Sequence, residues 1–210
     1  MVLEKLIVGP LGTNCYIFGS DLTKEVIIID PGGDSKIIIN KIDNLDLKPI
    51  GLLLTHGHFD HIFKVNKIKK EFEIPLMYCK KEYDSGLFNI KKADQWLKDN
   101  EKINIGNISL KILETPGHSP GSLSFYSNDV NSYKNVKIDG ILFTGDLLFR
   151  RSIGRTDIEG GNQVQIFKSI KTKIIDNPEI TDNFIIFPGH MGATSVREEK
   201  QFNLFRKYFL

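Results

Sequence analysis

Four side chains that can bind a metal ion fall within the six residues His56–His61, directly after an apolar run from Ile50 to Leu54. An uninterrupted apolar run of this kind is typical of a buried strand. Imidazole and carboxylate groups are ligands that zinc, iron and manganese accept. On the loop that leaves the strand, the first two histidines can turn to one point while Asp60 and His61 turn to another. The motif therefore predicts two neighbouring metal ions at a strand end.

All five histidines of the chain follow apolar stretches at predicted strand ends. Three lie in the His56–His61 motif, and the others are His118, in Thr-Pro-Gly-His-Ser-Pro-Gly, and His190, in Phe-Pro-Gly-His. A single histidine is more often a packed side chain without a ligand. Histidines used for packing or solubility would be scattered, so their shared placement indicates one metal-binding cluster.

Two aspartates also end apolar strands. Asp146 follows the stretch Leu142–Gly145 and is suited to bridge two cations. Asp30 stands before Pro-Gly-Gly. Because aspartate is common at the start of such turns, we assign Asp30 a structural role or one that supports a metal ligand.

The hydrophobic pattern mixes strands and helices along the whole chain. Apolar runs and alternation predict strands at Leu3–Val8, Tyr16–Phe18, Val26–Ile29, Ile50–Leu54, Pro75–Tyr78, Ile103–Leu113 (a hairpin about Gly106-Asn107), Ser122–Tyr126, Ile138–Phe143 and Phe184–Phe187. Helical spacing predicts helices at Lys36–Ile42, Ile62–Phe72, Val164–Ile175 and from Val196 on, with Ala93–Leu97 in a helix or loop. We expect an α/β (or α+β) layered fold in one domain, residues 1–210.

Composition and charge narrow the class of protein. The 210 residues are 40% hydrophobic, enough for one sizeable core. The net charge of +2 is spread over the chain without a basic block, so nucleic acid is not an expected partner. The first residues lack the basic and long apolar regions of a signal peptide, and we expect a cytoplasmic protein without a membrane partner. Cys15 and Cys79 fit no metal-binding spacing and are predicted to be buried free thiols.

The His-x-His-x-Asp-His motif, followed in order by His118, Asp146 and His190, resembles the metallo-β-lactamase superfamily over nearly the whole chain. The resemblance implies an αββα sandwich of two mixed β-sheets flanked by helices, with two divalent metal ions at one edge. Zinc is the first choice of metal, and iron and manganese are alternatives. The implied ligands are His56, His58 and His118 for the first metal, Asp60, His61 and His190 for the second, and Asp146 as the bridge.

Within the superfamily the chain resembles glyoxalase II-like (hydroxyacylglutathione hydrolase-like) enzymes in three segments, Gly9–Tyr16, Asp30–Asp34 and Phe143–Phe149. Full-length glyoxalase II has a helical C-terminal domain that contributes to glutathione binding, whereas here one predicted helix follows His190, as in shorter single-domain relatives. Where glyoxalase II has a basic residue and then an aromatic one against glutathione, this chain has Arg155 and Asp157. Arg155 can bind a substrate carboxylate or pair with Asp157, and both interpretations stay open.

These features predict a metal-dependent hydrolase of S-acylglutathione or a related small thioester. Two cations would lower the pKa of a shared water from about 15.7 to about 7, and the resulting hydroxide would attack the carbonyl carbon. Asp60 would serve both as a ligand and as the group that orients the hydroxide, so we class it as catalytic. No serine or cysteine nucleophile is required.

Three alternatives stay open. Persulfide dioxygenases, which use one iron, also resemble the chain, including the stretch Gly154–Asp157, although Phe187–His190 is more like the hydrolases. A nuclease of the superfamily would need a basic groove or an RNA-gripping arm, and neither is visible. A sensor or binding module could keep the metals for stability alone. Flavodiiron oxidoreductases have glutamate in place of the second motif histidine, so His58 argues against them.

Overall fold

Two six-stranded mixed β-sheets form the centre of the computed structural model, which describes all 210 residues. The first sheet contains its strands in chain order: β1 (Val2–Val8), β2 (Thr13–Gly19), β3 (Glu25–Ile29), β4 (Lys48–Leu53), β5 (Leu76–Cys79) and β6 (Gln95–Leu97). Strands β1 to β3 are antiparallel, and β3 to β6 are parallel. Parallel neighbours need crossover connections, which explains why helices alternate with strands in this half of the chain.

The strands of the second sheet are β7 (Lys102–Ile105), β8 (Ile108–Glu114), β9 (Leu123–Ser127), β12 (Gly140–Gly145), β15 (Phe184–Pro188) and β16 (Thr194–Ser195). Their order in the sheet is β16-β15-β12-β9-β8-β7. Two small hairpins pair β10 (Ser132–Tyr133) with β11 (Val136–Lys137) and β13 (Leu148–Phe149) with β14 (Ser152–Ile153). Strand β9 is antiparallel to β8 and β12, and β15 is parallel to β12, so β8, β12 and β15 run in one direction.

Six α-helices accompany the sheets. They are α1 (Ser35–Asn44), α2 (Phe59–Ile62), α3 (Val65–Phe72), α4 (Lys80–Asp84), α5 (Gln163–Ser169) and α6 (Val196–Phe202). Helix α5 continues as a π-helix, Ile170–Ile175, and a 3₁₀ turn, Arg206–Tyr208, lies near the C-terminus. The side chain of Ser195 accepts a hydrogen bond from the Glu198 N–H and caps α6, where the sequence predicts the last helix. None of these helices is both long and apolar enough to cross a membrane.

Three apolar layers hold the sandwich together. Phe18 and Phe125 belong to the layer between the two sheets. Side chains such as Ile38 pack α1 and α3 on the outer face of the first sheet, and side chains such as Ile166 pack α5 and the π-helix on the second. The predicted αββα sandwich is therefore confirmed. Cys15 and Cys79 are free and buried, as the sequence predicts.

Two local expectations are corrected. The segment Ala93–Leu97, expected as helix or loop, contains the edge strand β6, which pairs with β5 and places Trp96 against Tyr78. The helix expected over Ile62–Phe72 is divided into α2 and α3. The backbone N–H of Lys64, between them, donates to the carbonyl of Pro31 instead of continuing the helix. In both places contacts with distant residues outweigh the local pattern.

Candidate metal centre

Four loops bring the seven predicted ligands to one edge of the sandwich. These loops follow β4, β8, β12 and β15, and each begins where an apolar strand ends. The last three strands run in one direction, so His118, Asp146 and His190 reach the same edge. The His56–His61 motif, on the loop after β4 and in α2, completes the cluster.

The first group consists of three imidazole rings. Nε2 of His118 lies 2.8 Å from Nδ1 of His58 and 3.2 Å from Nε2 of His56. His56 and His118 are buried, and His58 is half-buried on the cavity side. Three ring nitrogens that converge in this way can hold one metal ion.

The second group lies beside the first and contains Asp60, His61 and His190. Oδ2 of Asp60 is 3.2 Å from Nε2 of His190 and 3.5 Å from Nε2 of His61. This set of one carboxylate and two imidazoles also suits a divalent ion.

Asp146 lies between the two groups. Its Oδ1 is 3.4 Å from Nε2 of His61, and its Oδ2 is 3.5 Å from Nε2 of both His118 and His190. One carboxylate thus contacts members of both groups, which is the placement that a bridging ligand requires.

Two buried polar atoms in the cluster have no hydrogen-bond partner, Nε2 of His61 and Oδ1 of Asp146. Burial of an unpaired polar atom is costly, so such pairs of orphaned atoms call for a ligand. Gly189 keeps the space beside them open, because a Cβ at this position would collide with Oδ1 of Asp146. The donor set and the orphaned atoms fit divalent metal ions.

Asp30 and Thr55 orient two of the histidines. The Thr55 hydroxyl donates to Oδ2 of Asp30 (2.6 Å), so its oxygen is left to accept from Nδ1–H of His56 (2.9 Å). Nδ1–H of His61 donates directly to Oδ2 of Asp30 (2.9 Å). In the neutral rings, both bonds place the proton on Nδ1 and leave Nε2 free for a metal ion, as a ligand requires. Asp30 therefore supports ligands, as predicted.

Burial lowers the histidine pKa values in the first group, whereas nearby carboxylates raise the pKa of His61 in the second. Burial lowers the pKa of His56 and His118, and it lowers that of His58 to about 4. Burial also disfavours protonated His61, but the carboxylates of Asp146 and Asp30 outweigh it and raise the pKa of His61. The first group is thus a set of neutral imidazoles, and the second is rich in negative charge that a cation would balance.

Glu82, in helix α4 directly after β5, is a supporting residue that the sequence does not reveal. It is 1% exposed, and its Oε1 accepts from the backbone N–H of Gly57 at 2.6 Å. Its Oε2 accepts from the backbone N–H of Gly121 at 2.7 Å and from the hydroxyl of Ser119 at 2.9 Å. One carboxylate therefore ties the loop of the first two histidines to the loop of His118.

Residues of β2 support the second group. The Thr13 hydroxyl donates to Oδ2 of Asp60 at 2.6 Å. The Asn14 amide and the Tyr16 hydroxyl donate to the carbonyl of Pro188, at 2.8 Å and 2.7 Å, and fix the turn that carries His190. These residues lie in a segment that resembles glyoxalase II, but their polar side chains alone give no signal of this role.

A cavity of about 760 Å³ opens over the cluster. Five of the seven predicted ligands line it, and so do apolar side chains such as Phe149 and Ile153. Arg155 is on its wall, where Nε and a terminal NH₂ group bond to the two oxygens of Asp157 at 2.9 Å and 3.1 Å. The structure thus contains the internal ion pair, and contact of Arg155 with a substrate stays a prediction.

The fold and the cluster agree with the comparison to protein families. The model of the metallo-beta-lactamase superfamily matches residues 8–190, and the chain belongs to this superfamily. It is 33% identical to hydroxyacylglutathione hydrolase GloC of Haemophilus influenzae over 98% of both chains. It is also 34% identical to the protein named probable metallo-hydrolase YqgX of Bacillus subtilis, over 100% of this chain and 99% of the relative.

Proteins with different names have solved structures of the same architecture. The crystal structure of BLEG-1 B3 metallo-beta-lactamase has a TM-score of 0.83 at 34% identity and covers 98% of this chain and 99% of its own. ETHE1 from Myxococcus xanthus has a TM-score of 0.83 at 25% identity, covering 100% and 88%. TTHA1623, solved in a di-iron-bound form, has a TM-score of 0.80 at 26% identity, covering 96% and 99%. The superfamily match supports a metal-dependent hydrolase, and the di-iron form of TTHA1623 shows iron in a structure of this architecture.

Proposed function

We propose that this protein hydrolyses small thioesters at a dinuclear metal centre, with S-acylglutathione as the substrate class to test first. The observation that carries the proposal is the pair of ligand groups joined by Asp146, with orphaned buried atoms on His61 and Asp146. The likeness to GloC, named a hydroxyacylglutathione hydrolase, supports the thioester part.

The proposed ligands follow the two groups of side chains described above. One divalent ion is assigned to His56, His58 and His118, and a second to Asp60, His61 and His190, with Asp146 shared. Zinc, iron and manganese all suit these nitrogen and oxygen donors. When bound, such a pair of ions lowers the pKa of water and polarises a carbonyl oxygen.

Hydrolysis joins the oxygen of water to the acyl carbon and breaks the bond from that carbon to sulfur. The products are a carboxylate, a thiol and a proton. Asp60 lines the cavity, and the Thr13 hydroxyl donates to its Oδ2. We assign this carboxylate to orient water at the acyl carbon. Arg155, also on the cavity wall, is assigned to a carboxylate of the thiol part.

The experiment begins with protein stripped of metal by a chelator and reloaded with zinc, iron or manganese. We expect cleavage of S-lactoylglutathione to vanish on stripping and to return on reloading. Asp146→Asn should reduce turnover by more than about 100-fold, because it removes the shared charge. Asp43→Asn, at an exposed position, is the matched control and should not change it. Turnover that survives both chelation and Asp146→Asn would refute the proposal.

The resemblance of the stretch Gly154–Asp157 to persulfide dioxygenases favours a second candidate, a persulfide dioxygenase that uses one iron. The two reactions differ in what they consume. The dioxygenase takes up oxygen with glutathione persulfide, whereas the hydrolase releases thiol without oxygen. Oxygen uptake by iron-loaded protein, with no thioester cleavage under any metal, would establish the second candidate. A β-lactam assayed in parallel tests the activity in the name of BLEG-1.

A further inference from the structure

A second cavity of about 460 Å³ adjoins the metal-binding cluster. We call it the side lobe and define it by its apolar wall of Phe59, Ile62, Phe63, Leu87 and Phe88. His58 and Phe59 line both the side lobe and the main cavity. A molecule with its reacting atom at the cluster can therefore extend into either space.

Two aromatic rings stand at the side lobe with much of their surface in solvent. Phe59 is 60% exposed and Phe63 is 52% exposed, and their ring centroids are 4.6 Å apart. Neither residue belongs to any of the three core layers. Exposed apolar surface that adjoins a polar centre in a concave site is typical of a ligand-binding surface.

The inner wall of the side lobe is fixed by packing around Gly57. The Phe88 ring meets the His58 imidazole edge-on, with centroids 5.0 Å apart. A Cβ on Gly57 would come within 2.7 Å of the Phe88 ring, so the missing side chain leaves the space that Phe88 occupies. The wall is therefore preformed before any ligand binds.

Charge distinguishes the side lobe from the main cavity. Glu159 lies on the wall of both cavities, and the side lobe has no lysine or arginine that could bind a carboxylate. Arg155 lies on the wall of the main cavity only. A thiol part that carries carboxylates is thus directed to the main cavity, and an uncharged acyl part to the side lobe.

We propose that the side lobe binds the acyl group of the substrate and selects apolar, aryl-bearing acyl groups, such as phenylacetyl, over the small polar lactoyl group. Hydrolysis of the bound molecule rests on the proposed function, but the selection for an apolar group does not. The tilted rings of Phe59 and Phe63, in contact with each other, and the fixed ring of Phe88 supply aromatic surface for such a group.

The kinetic experiment compares S-phenylacetylglutathione with S-lactoylglutathione on metal-loaded protein. We expect kcat/KM to be about tenfold higher for the phenylacetyl thioester. Phe63→Ala should remove this preference, mainly by raising KM for the phenylacetyl thioester. Phe202→Ala is the matched control, since Phe202 is 54% exposed and lies outside both cavities. Equal kcat/KM for the two thioesters, or equal effects of the two variants, would overturn the assignment.

A binding experiment separates this proposal from the proposed function. S-benzylglutathione and S-methylglutathione are thioethers that no hydrolase cleaves, and calorimetry measures their dissociation constants. We expect the benzyl compound to bind about tenfold more tightly to wild-type protein and to Phe202→Ala, but not to Phe63→Ala. That result without any thioester turnover would keep the side lobe and reject the hydrolase. Turnover of thioesters together with equal binding of both thioethers would support the hydrolase and reject the side lobe as the acyl site.

Discussion

Replacement of Glu82 by glutamine keeps the shape of the side chain but exchanges one acceptor oxygen for an NH₂ group. The Glu82 carboxylate accepts three hydrogen bonds, from the N–H groups of Gly57 and Gly121 and from the Ser119 hydroxyl. In either orientation the glutamine NH₂ would face a backbone N–H that is buried in the fold. The variant therefore leaves at least one buried donor unpaired.

The size of the effect follows from two opposing contributions. Loss of a hydrogen bond to a charged group costs about 1.5–3 kcal/mol. Burial raises the pKa of Glu82, which shows that the fold disfavours its charge, and removal of the charge offsets part of the loss. We expect a net loss of about 2 kcal/mol of unfolding free energy and a decrease in Tm of about 4–8 °C for a chain of this size.

Metal affinity should fall as well. His56 and His58 flank Gly57, and His118 precedes Ser119, so Glu82 holds the backbone on both sides of the first ligand group. Loss of a supporting hydrogen bond typically lowers metal affinity by about 10–100-fold. Competition with a chromophoric chelator measures this change.

Thermal unfolding of metal-free protein, followed by circular dichroism, tests the stability estimate without involving the metal. Glu71→Gln, on the exposed surface of α3, is the matched control and should shift the free energy by no more than about 0.5 kcal/mol. If Glu82→Gln unfolds at the same temperature as Glu71→Gln, the hydrogen bonds between Glu82 and the two loops do not stabilise the fold, and the reasoning is wrong.

Three further variants or probes test other parts of the site. Asp30→Asn removes the charged acceptor of His61, and we expect about 10–100-fold weaker metal binding in chelator competition; unchanged affinity would contradict the orienting role. Cys15 is fully buried, and burial raises its thiol pKa, so the thiolate is scarce and an aromatic disulfide should label it only on unfolding; fast labelling of folded protein would contradict this. Asp157→Ala frees Arg155, so KM for S-lactoylglutathione should fall at unchanged Tm; an unchanged KM would argue against a substrate contact.

The sequence predicts the candidate ligands because each follows a local signal. An apolar run ends, a short turn follows, and a histidine or aspartate comes directly after it, as at His56, His118, Asp146 and His190. Parallel strands then carry these ends to one edge of the sandwich. Local pattern and topology agree at these positions, so the cluster is predictable from the chain.

Glu82 shows why the rest is not predictable in the same way. It lies in a charged segment, Lys-Lys-Glu-Tyr-Asp, and such a pattern is typical of solvent-exposed surface. Its partners are at positions 57, 119 and 121, far away in sequence. Its burial is a product of tertiary structure, and no window around residue 82 contains that information.

The edge strand β6 and the division between α2 and α3 have a similar origin. Three residues, Gln95–Leu97, are too few to display an alternating pattern, and their strand forms because β5 is present beside them. Helix α2 ends at Ile62, and the N–H of Lys64 donates to the carbonyl of Pro31 instead of continuing the helix. Neither partner is a neighbour in the chain.

The dinuclear centre is tested most directly by titration of metal-free protein with zinc while metal content and S-lactoylglutathione cleavage are measured in the same samples. We expect cleavage to rise until about two ions are bound per chain and then to stay constant. Full occupancy by a single ion, with oxygen uptake on glutathione persulfide by the iron-loaded protein and no release of thiol from the thioester, would contradict the dinuclear hydrolase.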